Sequence, residues 1–144
     1  MTRLFIGSDH GAVELKAGII EYINNNHPEI ELENCGVDSA ESVDYPDIAA
    51  DVCEQVIATE GLGILCCGTG IGMSMKANRY KGIRAALVYD VNTATLTKQH
   101  NNANVLCMGG RTHSVDEATA MIEAWLTTEF EGDRHNRRLD KLDN

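Results

Sequence analysis

A cysteine heads an alternating glycine run, Cys67-Gly68-Thr69-Gly70-Ile71-Gly72, between an apolar strand-like segment, Leu62 to Cys66, and a helix-like one, Met73 to Arg79. Glycines in such a turn let successive backbone N–H groups converge on an anion, because no Cβ stands in the way. The N-terminus of the following helix adds partial positive charge, which favours an oxyanion and lowers the pKa of a nearby thiol. A base beside an oxyanion cradle is the equipment for taking a proton from the carbon next to a carbonyl. The same run also reads as a tight turn with a buried cysteine, so the rest of the chain must decide.

Other polar residues fall where strands end, which is where open α/β sheets bind ligands. Asp9-His10 follows a first apolar run, Arg3 to Ser8; Tyr89-Asp90 follows a fourth; Gly109-Gly110-Arg111 follows a fifth. His100-Asn101 closes the helix just before the fifth strand, and all these groups are expected to gather on one rim. Each type also has an ordinary structural use, Asp9 as a helix N-cap and His100-Asn101 as a C-terminal cap.

The elements that must position them alternate along the whole chain. Asp9 can cap a helix carrying Ala12, Leu15, Ile19, Ile20 and Ile23 at helical spacing, stopped by Asn24-Asn25-Asn26 and Pro28. Glu29 to Glu33 alternates as an edge strand would, and Pro46 suits the first turn of a helix holding Ile48, Ala49, Val52, Val56 and Ile57. Strands are expected at Leu62 to Cys66, Ile83 to Val88 and Asn104 to Met108, with a helix from Asn92 to His100. Ser114-Val115-Asp116-Glu117 forms a capping box for a last long helix through Trp125 and Leu126. Five such units with near-continuous apolar central strands predict an α/β, doubly wound three-layer sandwich, Rossmann-like, with a five-stranded parallel sheet. Asn34 to Tyr45 is the one long connection, a kind of loop more often functional than idle.

The 144 residues suit a single domain, 1–144, with 43% hydrophobic and 24% charged residues. The net charge of −10 argues against nucleic acid and anionic membranes as partners. No run is long and apolar enough for a membrane span, and an acid comes too early for a secretory leader, so a cytoplasmic location is expected. The five cysteines are odd in number and form no Cys-x-x-Cys pair, and no histidines are spaced to share a metal on a helix. No metal and no cofactor are therefore expected. The turn after the first strand lacks the Gly-x-Gly-x-x-Gly dinucleotide fingerprint, and the Gly68–Gly72 run lacks the Lys-Ser/Thr of a P-loop. A basic cluster, Arg134-His135-Asn136-Arg137-Arg138, stands out in an acidic chain. On a helix Arg134 and Arg138 share a face and could grip a phosphate, although such a run also reads as a solvated face.

Several blocks together resemble ribose-5-phosphate isomerase type B, within the group that includes the galactose-6-phosphate and allose-6-phosphate isomerases. They are Gly7-Ser8-Asp9-His10-Gly11 with Leu15-Lys16, Asp44-Tyr45-Pro46-Asp47, the Cys67–Gly72 run with Ala77-Asn78, and Gly82-Ile83-Arg84-Ala85. His100-Asn101-Asn102-Ala103-Asn104-Val105-Leu106, Gly109-Gly110-Arg111, and Glu131-Gly132-Asp133-Arg134-His135 with Arg138 complete the set. The resemblance spans the chain and implies metal-free aldose–ketose isomerisation of a phosphorylated sugar through a cis-enediolate. It implies Cys67 as the base between C1 and C2, Thr69 as a proton shuttle between sugar oxygens, and amides of Gly68, Gly70, Ile71 and Gly72 on the enediolate. Asp9 and His100 would open the furanose ring, Asn101 would bind sugar oxygens, and Tyr45 would line the pocket. His10, Arg111, Arg134 and Arg138 would bind the phosphate. It further implies a homodimer or dimer of dimers with shared sites, in which His100, Asn101 and Arg111 come from the partner and the segment from about 128 to 144 packs on it. A hexose phosphate, or plain sugar-phosphate or nucleotide binding without catalysis, stays open as an alternative. Cys66, next to the proposed base, is expected to face the opposite side of its strand as a small buried hydrophobe.

Overall fold

A computed structural model describes residues 2–144. Five parallel strands, β1 (Arg3–Ser8), β2 (Glu31–Asn34), β3 (Leu62–Cys67), β4 (Ala85–Leu87) and β5 (Val105–Gly109), lie in the order β2-β1-β3-β5-β4. Helices α1 (Val13–Asn26), α2 (Tyr45–Thr59), α3 (Ile71–Ala77), α4 (Val91–Gln99), α5 (Val115–Thr127) and α6 (Arg134–Asp143) complete the chain. The expected three layers and parallel sheet are present. Two buried clusters lie on its two faces. Leu15, Ile19 and Ile23 of α1 and Met121, Ile122 and Trp125 of α5 cover Leu4, Ile6, Ile64 and Leu106. Val52, Cys53 and Val56 of α2 and Met73 and Ala77 of α3 cover Phe5, Leu65, Val105 and Cys107. Successive side chains along β1 and β3 therefore go to opposite layers, as a strand requires.

The sheet order reverses between β1 and β3, which opens a crevice at their carboxyl ends. β5 inserts between β3 and β4, an exchange of the last two strands relative to the flavodoxin-like order. β4 is shorter than its apolar run suggested, because Ile83 belongs to a turn, its N–H donating to Tyr80 C=O. Asp9 Oδ1 accepts from Gly11 N–H and caps a short 3-10 turn, His10–Ala12, rather than α1 itself, whose N-cap is Ala12; Ser114 and Glu117 make the expected reciprocal capping box. The basic C-terminal run is helical, within α6. Among the described residues, no helix is long and apolar enough to cross a membrane.

Between α1 and α5, His27 Nε2 lies 2.6 Å from Glu123 Oε1, which also accepts from Tyr22 O–H at 2.7 Å. The Glu123 hydrogen bond raises the His27 pKa above its ordinary 6.5. The His27 bond, then that of Tyr22, lowers Glu123 below 4.5. Stabilisation through His27 is full below its unfolded pKa and is lost as pH climbs through the raised folded value. Stabilisation through Glu123 is present above its unfolded pKa and is lost as pH falls through the lowered folded value. Glu123→Gln should therefore cost most thermal stability between about pH 4.5 and 6.5 and progressively less above that window. Melting curves of both proteins across pH check it; a gap that widens toward pH 9 would contradict it.

Candidate active site

At the crevice, three chain segments are stitched together by main-chain hydrogen bonds. Asp9 N–H donates to Cys66 C=O at 3.1 Å, Gly110 N–H to Cys67 C=O at 2.8 Å, and Arg111 N–H to Gly68 C=O at 3.0 Å. The turns after β1, β3 and β5 thus form one rigid floor. Asp9 is buried at 8% exposure, so its carboxylate is held, not solvated.

Cys67 ends β3 at 6% exposure, and its Sγ accepts the Gly70 N–H at 3.0 Å. That backbone donor fixes the sulfur at the turn. Cys66 lies in the opposite layer, fully buried, where burial drives its thiol pKa far above the usual value. The two adjacent thiols are separated as strand geometry demands: one faces the turn, the other the α1–α5 side.

The glycine turn is more committed than its sequence suggests. Gly70 N–H is spent on Cys67, and Ile71 N–H donates to Thr69 Oγ1 at 3.2 Å. Among the described residues, the N–H groups of Gly68, Thr69 and Gly72 make no hydrogen bond, and these are the amides left for an anion. Gly70 has φ +84°, and a Cβ there would sit 2.9 Å from the Met108 backbone and 2.8 Å from Leu87 Cδ1. Gly70→Ala must therefore push the turn off β5 and pull the amide away from sulfur. Turnover should fall on the order of a hundredfold, as when one oxyanion donor is lost. Gly82 also has a positive φ, +92°, but faces open space, so Gly82→Ala isolates backbone strain and should keep turnover near wild type. Steady-state rates of the two folded variants test this; equal losses would remove the turn geometry as the cause.

Around this floor stand His10, Tyr45 and Arg111. His10 Nδ1 accepts from Val43 N–H at 3.2 Å, which leaves the proton of the neutral ring on Nε2. The Tyr45 ring packs over Gly72, where a Cβ would lie 2.5 Å from Cζ. The chain's own Arg111 guanidinium lies over Gly68, its Nη1 3.1 Å from the position a Cβ would take. That corrects the expectation that a partner supplies Arg111: the turn after β5 folds straight back onto its own glycine loop.

His100 and Asn101 do not join this rim. α4 runs back from the carboxyl end of β4 to the amino end of β5, so its last turn sits at the opposite edge of the sheet. The five residues of β5 separate the two edges by roughly 13 Å. At that far edge His100 stacks on His135 with ring centroids 4.6 Å apart, and Glu131 N–H donates to Gln99 C=O at 3.0 Å. Arg134 and Arg138, four apart on α6, belong to the same group and are exposed. Asn101 lines a cavity of about 570 Å³ with Arg79, Arg84, Thr97 and Asp143, remote from Cys67.

His100, Glu131 and His135 bring three donor atoms within 4.8 Å of one another. The imidazole planes are only 20° apart, so their in-plane lone pairs run side by side and do not converge on a cation. Burial, then the Arg134 charge, holds His135 below its usual pKa. This is a stacked histidine pair beside a carboxylate. Nothing in the residue pattern signals the stack, since His135 reads as one more basic residue of its run.

A family model described as Ribose/Galactose Isomerase matches residues 4–142. The chain belongs to the ribose/galactose isomerase family. Ribose-5-phosphate isomerase B of Escherichia coli is 36% identical over 99% of this chain and 95% of that protein. A crystal structure of a ribose 5-phosphate isomerase from Thermotoga maritima superposes with a TM-score of 0.94 at 45% identity, covering 99% of this chain and 97% of that one. Ribose-5-phosphate isomerase B from Mycoplasma genitalium, solved with bound ribulose-5-phosphate, gives a TM-score of 0.94 at 40% identity, covering 99% and 94%. Membership in this family makes the chain an isomerase.

Proposed function

We propose that this isomerase interconverts ribose 5-phosphate and ribulose 5-phosphate through a cis-enediolate, with Cys67 as the base. The observation that carries this is the Cys67 sulfur held at the sheet crevice by the Gly70 amide, beside three N–H groups with no other partner. The Cys67 thiolate takes the C2 hydrogen as a proton, and the C2–H electron pair becomes the C1–C2 double bond while negative charge settles on O1. The amides of Gly68, Thr69 and Gly72 lower the cost of that charge. Thr69 passes a proton from O2 to O1, and the thiol returns its proton to C1, which yields the ketose. Asp9 and His100 open the ring, Asn101 binds sugar oxygens and Tyr45 walls the pocket. His10, Arg111, Arg134 and Arg138 bind the phosphate, whose remote binding energy keeps C2 in register with sulfur.

The separation of His100, Asn101, Arg134 and Arg138 from the crevice of their own chain supports a site completed by a second copy. Exposed apolar side chains surround the glycine turn, Ile71 at 46%, Met75 at 64%, Leu87 at 38% and Tyr89 at 63%, a surface suited to burial against that copy. The test is isomerisation by the purified protein, in EDTA, of ribose 5-phosphate, allose 6-phosphate and galactose 6-phosphate. Highest kcat/KM on the pentose is expected. Preference for a hexose would change the substrate, and inactivity on all three would leave only sugar-phosphate binding.

A further inference from the structure

Lys16 lies on α1 at 1% exposure, deeper than several leucines and isoleucines of this chain. Burying an ammonium is costly unless it is paired, and packing alone would be met by Met or Leu. Its Nζ donates to Asn34 Oδ1 at 2.7 Å and to Asp38 Oδ1 at 2.7 Å. Asn34 Nδ2 donates to the same Asp38 oxygen at 2.9 Å, and Asn34 Oδ1 accepts Gly36 N–H at 3.0 Å. One ammonium therefore ties off the start of the long connection between β2 and α2. Asp38 is itself mostly exposed, so the knot is reached from the core side by lysine and from the solvent side by the loop.

Beyond the knot, the connection follows the end of β1 and then the site. Cys35 N–H donates to Ile6 C=O, Ser8 N–H to Gly36 C=O, and Val37 N–H to Ser8 C=O. Farther on, Val43 N–H holds His10 Nδ1, and the segment ends at Tyr45 over Gly72. The start of this connection is fixed to the end of β1 and its far end touches His10 and Gly72, residues assigned to the sugar phosphate, while its middle, 39 to 42, is exposed.

We propose that Lys16 is a positioning residue: by clamping Asn34 and Asp38 it fixes the β2–α2 connection, and through Val43 and Tyr45 it sets the His10 imidazole and the pocket wall for the substrate's phosphate end. What the clamp serves rests on the isomerase reading above; the clamp itself does not. Two variants test it. Lys16→Met removes the charge and keeps the length, and Asp38→Ala cuts the same knot from the exposed side without touching the core. Hydrogen exchange at the Gly36 and Val43 amides should quicken about tenfold in both, reporting local opening. KM for ribose 5-phosphate should rise about tenfold with kcat within about twofold, the pattern of lost binding without lost chemistry. Unchanged Val43 exchange and unchanged KM in Asp38→Ala would overturn the proposal even if Lys16→Met failed to fold. A fall in melting temperature with no change in KM would overturn it too, making Lys16 a core residue only. If wild type isomerised no sugar phosphate, the functional reading would fall while the exchange measurement still decided the clamp.

Discussion

Cys67→Ala should reduce kcat by about 10²- to 10⁴-fold, the range a positioned general base supplies. The side chain is small and 6% exposed, and alanine keeps the strand end intact, so sugar-phosphate affinity should change little. The decisive measurement is incorporation of solvent deuterium at C1 and C2 of the sugar. A base that shuttles one proton between those carbons exchanges it with water, and its loss should end exchange along with turnover. Exchange that persists in Cys67→Ala would remove the thiol as base whatever happens to kcat. Cys66→Ala supplies the contrast: that thiol is sealed in the other layer and its ionisation is strongly disfavoured, so it should cost packing and leave exchange untouched. The adjacent pair thus separates chemistry from burial with two one-atom deletions.

Much of this arrangement is readable from residue order. The caps at Asp9 and Ser114, the opposed faces of Cys66 and Cys67, and the five parallel strands follow from local chemistry and strand periodicity, and all are present. What local signals could not supply was long-range. The insertion of β5 between β3 and β4 depends on which edge accepts the last strand, a choice made by packing. His100 was expected with the strand-end groups, yet a helix that leads into a parallel strand ends at that strand's amino edge, which sends it to the far rim. The commitment of the Gly70 and Ile71 amides, and the burial of Lys16 beneath a loop eighteen or more residues away in sequence, exist only once the turns are folded. Lys16 stood in the Leu15-Lys16 block of the resemblance but its burial carried no warning, because a lysine after Leu15 on an amphipathic helix reads as its solvated border.

A mixture of Cys67→Ala and His100→Ala proteins, each nearly inactive, should regain activity when their subunits are exchanged. Within one chain the Cys67 crevice and the His100 stack occupy opposite edges of the sheet, so a proton relay using both must draw them from two copies. In a two-fold dimer each site would take Cys67 from one subunit and His100 from the other. A mixed dimer then holds one site with both defects and one with neither. Random reassortment of equal amounts makes half of the dimers mixed, so activity should approach roughly a quarter of wild type. Mass spectrometry of an isotopically labelled partner shows whether exchange has occurred. Exchange without recovered activity would mean that His100 acts within its own chain or not at all. The stack with His135 would then be a device for holding α6 against α4, and the ring-opening role would pass to Asp9, the buried carboxylate already on the Cys67 side of the sheet.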